Sequence, residues 1–201
     1  MVVFYAVAVE LGLLPRAELE RYGLDGAPLE AISTERTPLI DLNCGSLGQG
    51  LSGAIGLALA ARFAREDRRT FAFLSDGELE EGQVWEAAMF AAHHRLGELT
   101  VLLDANNSQV DGTIASVTSL DPMADKWRAF GWHVHDVDGH DVAALVHALN
   151  DRVADRPVIV IARTDILGRL KSIPPTVDGH FVKLDPPLFQ AVIAELEAAG
   201  A

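Results

Sequence analysis

The chain has 201 residues, a length for one domain with at most a small appendage. Apolar residues make up 49% of it, enough for a core, so disorder as the main state is excluded. A net charge of −13 makes the chain a poor general binder of nucleic acid or anionic lipid, although backbone N–H groups and a metal ion can still hold an anion in a local pocket.

The only cysteine is Cys44, so a disulfide within the chain and a Cys-rich zinc site are both excluded. Cys44 is expected to be a small buried apolar residue, and a single thiol fits a reducing compartment. No basic stretch precedes the first apolar run, and Glu10 interrupts it, so no signal peptide is expected. The apolar run beginning near Leu51 is short and glycine-rich, a poor membrane span. A soluble cytoplasmic chain with no membrane or nucleic-acid partner is the expectation.

Residues 2–14 are strongly apolar and predict a buried helix stopped before Pro15. Residues 17–44, with Gly23, Gly26, Pro28 and Pro38, read as a short helix and a long loop. From Ser46 to Arg65 the spacing of Leu47, Leu51, Ile55, Leu57, Leu59 and Phe63 predicts a helix with a mostly buried face. Thr70–Leu74 predicts a buried strand running into the turn Ser75-Asp76-Gly77. A helix over 81–95 follows, then a second buried strand, Leu99–Leu103, ending in Asp104-Ala105-Asn106-Asn107. Residues 121–130 predict a helix, Trp132–Val137 a third strand, 140–151 a helix and Pro157–Ala162 a fourth strand. The stretch 165–186 is loop-like, with Pro174-Pro175 and Pro186-Pro187 as breakers, and a last helix covers 188–198. Strands alternating with helices imply an α/β fold, a three-layer α/β/α arrangement with a mostly parallel sheet, in one domain over 1–201.

In such a sheet ligands bind at the carboxyl ends of the strands. Two of those ends carry oxygen-rich turns, Asp76-Gly77 and Asn106-Asn107, thirty residues apart, the length of one strand–helix–strand unit. A carboxylate and an amide oxygen suit Mg²⁺, which takes six hard oxygens and often shares some with phosphates. Gly77 would let the backbone approach a phosphate closely, and the following helix would add its dipole. Either turn alone is ordinary; the pair at this spacing is informative. His93-His94 is not a metal pair, because adjacent helical residues point in different directions, and a solvated surface is expected there.

The pattern resembles the thiamine-diphosphate signature and, more narrowly, the diphosphate-binding half of the transketolases. The similarity rests on Gly45-Ser46-Leu47-Gly48-Gln49-Gly50, Asp76-Gly77 with Glu81-Gly82, Asn106 through Gly112, Phe130–Val134 and Val137–Asp141. It implies the thiamine-diphosphate-binding fold of the PP type, with thiamine diphosphate and Mg²⁺ (or Ca²⁺ or Mn²⁺ in its place) as cofactors. Asp76, Asn106 and the backbone carbonyl of Ser108 correspond to metal ligands. Gly77 would hydrogen-bond the diphosphate, and Glu78 falls among the cofactor-binding residues of the same run. Gly45, Ser46 and Leu47 would border the aminopyrimidine, and Val110 would lie beneath the thiazolium. Glu81 matches an interface glutamate coupled to the cofactor, and His180 a histidine near the diphosphate.

Ser75 stands where the family has the first glycine of its Gly-Asp-Gly run. Ala31 stands where many relatives have a histidine facing the substrate. The chain begins inside a helix that in relatives follows a Gly-His motif, and it ends without the pyrimidine-binding half. The resemblance therefore implies one subunit of a split enzyme, completed by a C-terminal, pyrimidine-domain subunit in a heterotetramer of two plus two. The small-residue helix 46–65 and the region of Glu81 are expected at subunit interfaces. The implied reaction moves a two-carbon ketol unit from a ketose or 2-oxo acid donor to an aldehyde acceptor, the cofactor carrying the difficult step. The alternatives are a split thiamine-dependent synthase or decarboxylase acting on a 2-oxo acid, or a non-catalytic partner that keeps the fold.

Overall fold

The computed structural model describes every residue except Asn43, Gly168, Arg169, Pro175, Thr176, Asp178, Gly200 and Ala201. Pro175, half of one expected breaker pair, therefore lies outside the described residues. In chain order the elements are α1 (Val2–Glu10), α2 (Arg16–Glu20), α3 (Gln49–Ala64), β1 (Thr70–Ser75) and a 3₁₀ turn (Gly77–Glu80). There follow α4 (Gly82–His93), β2 (Leu99–Ala105), α5 (Ile114–Val117), α6 (Met123–Ala129), β3 (His133–Asp138), α7 (Val142–Asn150), β4 (Val158–Arg163) and α8 (Pro186–Ala199).

The four strands form a parallel sheet in the order β1-β2-β4-β3, so β1 and β3 are the edges. Alternation along the central strands sends side chains to two faces. Leu99, Val101, Leu103, Ile159 and Ile161 join the larger core with residues of α3, α4 and α6. Val158 and Val160 join Ala148 in the smaller one, with Leu102, Val137, Leu145 and Leu149 packed around them. Trp127 and Trp132 are fully buried in the larger core, and Trp132 Nε1–H donates to the Ala88 carbonyl at 2.9 Å. Among the described residues no helix is long and apolar enough to cross a membrane.

Several expectations are corrected. The first helix ends at Glu10, where Gly12 takes φ +70°, and it is not buried: Tyr5 and Ala8 face inward while Val3, Phe4, Val7 and Leu11 are exposed. The helix expected from Ser46 begins at Gln49, because Gly48 sits at φ +84°, outside helical space. Its buried stripe is Leu51, Ala54, Ile55, Ala58 and Ala61, whereas Leu47, Leu57 and Phe63 face out. β1 is buried on one face only, since among the described residues no helix covers Phe71 and Phe73 on the other. Pro186 and Pro187 open α8 rather than break the chain. A proline in the first turn lacks only an N–H that would have no helical partner, and Asp185 Oδ1 accepts from Leu188 N at 2.9 Å. Cys44 is partly exposed, its thiol pushed up by burial and by the nearby Glu78 charge.

Candidate functional site

The β1–β2 register pairs Ser75 with Asp104, so the turns after the two strands lie side by side. Asp76 follows directly and is 2% exposed. Its Oδ1 accepts from Gly77 N at 2.9 Å and its Oδ2 from Asn107 N at 2.6 Å. The second bond spans the two turns and fixes their separation. Burial raises the Asp76 carboxyl above its ordinary value. The N–H groups of Asn107 and Gly77 pull it back in part, while the Asp104 charge pushes the same way as burial.

Asn106 is held on both sides of its amide. Its Nδ2 donates to Asp104 Oδ2 at 3.0 Å, and its Oδ1 accepts from Ser108 N at 2.9 Å. Asp104 Oδ1 in turn accepts from the Thr164 hydroxyl at the end of β4. Asp104 thus orients the amide of Asn106, a role that spacing alone does not reveal. The register with Ser75 and the two-residue offset from Asn106 are the signals that point to it.

Gly77 makes room for a neighbouring loop. A Cβ there would stand 3.2 Å from Gln109 Cβ, so its missing side chain admits the loop after β2. Its N–H is turned to Asp76 Oδ1, a contact that a diphosphate oxygen would have to replace. The same loop is pinned from below, where Gln109 Nε2 donates to both Glu80 oxygens at 3.2 Å.

The glycine segment before α3 is tied to this cluster. Glu78 is buried, and its Oε1 accepts from Gly48 N at 2.7 Å. Gln83 Nε2 donates to the Leu47 carbonyl at 2.9 Å. Gly45, Ser46 and Leu47 are exposed beside it. Glu81 is exposed at the start of α4, and Val110 is exposed at the tip of the loop after β2. His180 is exposed, its ring 4.9 Å from that of Phe181. These hydrogen bonds bring Asp76, Gly77, Asn106 and Ser108 into one cluster and attach Glu78 and the Leu47 carbonyl to it. They do not include Val110, Glu81 or His180. His93 and His94 are exposed, as expected.

The donor set fits a divalent ion. A buried carboxylate, an oriented amide oxygen and the carbonyl of Ser108 in the same turn are all hard oxygens. A cation would also offset the burial and the Asp104 charge that hold the Asp76 carboxyl up. These residues define an α/β domain that presents oxygen donors at the carboxyl ends of adjacent parallel strands.

Residues 29–185 match the family described as "Transketolase, thiamine diphosphate binding domain", and the chain belongs to the transketolase family of thiamine-diphosphate-dependent enzymes. It is 38% identical over 201 residues to the 6-deoxy-6-sulfo-D-fructose transketolase subunit SqwG of a Clostridium species, covering 98% of this chain and 73% of that one. It is 36% identical over 167 residues to an apulose-4-phosphate transketolase subunit of Actinobacillus succinogenes, covering 80% and 59%. A solved transketolase from Pichia stipitis matches with TM-score 0.69 and 29% identity over 74% of this chain and 24% of that one. The transketolase of Campylobacter jejuni shares the fold, with TM-score 0.82 and 23% identity over 90% of this chain and 30% of that one. The chain thus spans under a third of these two solved transketolases and about three quarters of the Clostridium protein.

Proposed function

We propose that the chain is the diphosphate-binding subunit of a split transketolase-like enzyme, working with a second polypeptide that supplies the pyrimidine-binding domain. The observation that carries this is the buried Asp76 carboxylate joined across two strand ends to the Asn106 turn, in a family whose named relatives are transketolase subunits. Asp76, Asn106 and the Ser108 carbonyl would hold Mg²⁺, which would carry the diphosphate of the cofactor. Bound thiamine diphosphate supplies the carbon nucleophile and electron sink for moving a two-carbon unit.

The residues of this chain bind and orient. Asp104 fixes the Asn106 amide, and Thr164 fixes Asp104. Glu78 holds the Gly48 backbone, and Gly45, Ser46 and Leu47 would border the aminopyrimidine end. Val110 would lie beneath the thiazolium, His180 near the diphosphate, and Glu81 at the subunit interface. The assembly is two plus two, and the whole of 1–201 serves as the one diphosphate-binding domain. The donors to try first are ketoses bearing an anionic group, because the names of the relatives carry a sulfonate and a phosphate.

The test is reconstitution. The chain is co-expressed with candidate pyrimidine-domain polypeptides of its own organism, and the complex is read by intact mass spectrometry with thiamine diphosphate and Mg²⁺ present. The expected result is a cofactor-loaded complex that transfers a two-carbon unit from a ketose to an aldehyde, with neither polypeptide active alone. A loaded complex that only decarboxylates 2-oxo acids, or a chain that never binds cofactor with any partner, overturns the proposal.

A further inference from the structure

His133 and His135 lie two residues apart at the start of β3, so both rings leave the same face of the strand. Val137, next on that face, packs in the smaller core against residues of α7. Asp151 is the C-cap of α7 and returns to the same place. One oxygen, Asp151 Oδ2, stands 3.1 Å from His133 Nε2 and 2.9 Å from His135 Nε2. The three ligand atoms lie within 4.8 Å of one another, the one such group of histidine, cysteine and carboxylate ligands among the described residues.

Two of the three separations, hydrogen-bond distances as they stand, are also those of neighbouring ligands on one ion. Ligands about 2.0–2.2 Å from a zinc-type ion stand roughly 3 Å apart when cis in an octahedron and roughly 3.4 Å apart in a tetrahedron. The two N···O separations match the former. The rings meet at 78°, with centroids 4.8 Å apart, so they converge without stacking. The side chains keep 34%, 20% and 36% of their exposure, which leaves a path for the ion and room for water ligands. The guanidinium groups next in sequence are engaged elsewhere: Arg152 with Asp67, and Arg156 with the carbonyls of Gly131 and Trp132. Imidazole nitrogens are poor ligands for Mg²⁺ and good ones for zinc, nickel or copper.

We infer that His133, His135 and Asp151 form a second metal site, for a divalent transition ion of the zinc type, which clamps the start of β3 to the end of α7. It is separate from the oxygen ligands of Asp76 and Asn106. Along and across the sheet the two groups are on the order of 20 Å apart. The site is made by this chain's own residues and does not depend on the proposed reaction.

The full chain, stripped with chelator and then saturated with Mg²⁺, is titrated calorimetrically with Zn²⁺ beside H133N/H135N and D151N. The expected result is one equivalent of Zn²⁺ per chain, lost in H133N/H135N and weakened about tenfold or more in D151N, with unchanged circular dichroism. Bound Co²⁺ should show visible absorption that H133N/H135N lacks. The variant keeps His93, His94, His140, His147, His180 and Cys44, so binding elsewhere is measured directly as its background. Absence of saturable Zn²⁺ binding in the parent chain, or an equal equivalent in H133N/H135N, overturns the inference. Should the double variant fail to fold, D151N at an accessible helix end decides, and unchanged affinity there overturns it.

Discussion

The two ends of the sheet hold their charged groups in opposite ways. At the carboxyl ends of β1 and β2, Asp76 is buried and each of its oxygens accepts a backbone N–H. At the amino end of β3, Asp151 is partly exposed at a helix end and meets two side chains through one oxygen. Backbone donors fix a carboxylate to the fold itself, so the first group survives side-chain changes around it. The second exists only while two imidazoles converge. The first offers hard oxygens, the second mainly nitrogens, and that difference sorts the ions each would select.

The largest effect should come from Asp76→Ala. Mg²⁺-dependent affinity for thiamine diphosphate should fall by roughly 100-fold or more by calorimetry, since removing a charged hydrogen-bonding ligand costs about 3 kcal/mol. The Zn²⁺ titration of the same variant should be unchanged. A parallel loss at both ends would erase the contrast between them.

Next is Asp104→Asn, which removes a charge without removing a ligand. The charged acceptor of the Asn106 amide becomes a neutral amide with one oxygen for two donors, Asn106 Nδ2 and the Thr164 hydroxyl, and cofactor affinity should drop by up to about tenfold, the usual scale for groups that orient ligands. Unchanged affinity would mean that the Ser108 N–H alone orients Asn106. Gly48→Ala tests the scaffold near the first site. A Cβ at φ +84° would lie 2.8 Å from Glu81 Cβ and Gln83 Cγ. The expected loss is about 1–3 kcal/mol in denaturant unfolding, and an unaltered midpoint would show that the loop before α3 relaxes.

The smallest effect is a difference in titration. The Asp76 carboxyl is raised chiefly by burial, so its stabilising contribution is present below about pH 4 and is lost as pH rises through its raised value. Asp151 is lowered chiefly by the His135 hydrogen bond, so its contribution is present above about pH 4 and is lost as pH falls through its lowered value. Protons would compete with an ion held at Asp76. The thermal shift produced by Mg²⁺ and cofactor should therefore decline on acidification sooner than an ordinary aspartate would dictate. A shift that stays constant down to about pH 4, the ordinary aspartate value, would count against Asp76 as a ligand.

The central strands were legible because Leu99–Leu103, interrupted only by Thr100, and Pro157–Ala162 are apolar runs, as expected of strands buried on both faces. Edges were not. Phe71 and Phe73 are apolar yet exposed, and among the described residues no helix covers them. The same holds for α1, whose outer face has no layer over it within the described residues. Asp76 and Asn106 could be paired from sequence because one supersecondary unit separates them. The part played by Asp104 needed the register, and the meeting of His133, His135 and Asp151 needed the path of α7 back along β3. The His-x-His spacing on a strand was the available signal, but it reads equally as a strand face until the third ligand is placed.

Glu78 lies two residues beyond Asp76, and its bond to Gly48 joins positions thirty residues apart. The turn that offers the carboxylate and the strand of backbone before α3 consequently share one fluctuation. Restraint applied at either is restraint felt at both. Part of the entropy lost in ordering the glycine segment is surrendered in folding, before any cofactor arrives. Amide exchange at Gly48 should report that state, slow in the free chain and slower still when the neighbouring turn is loaded.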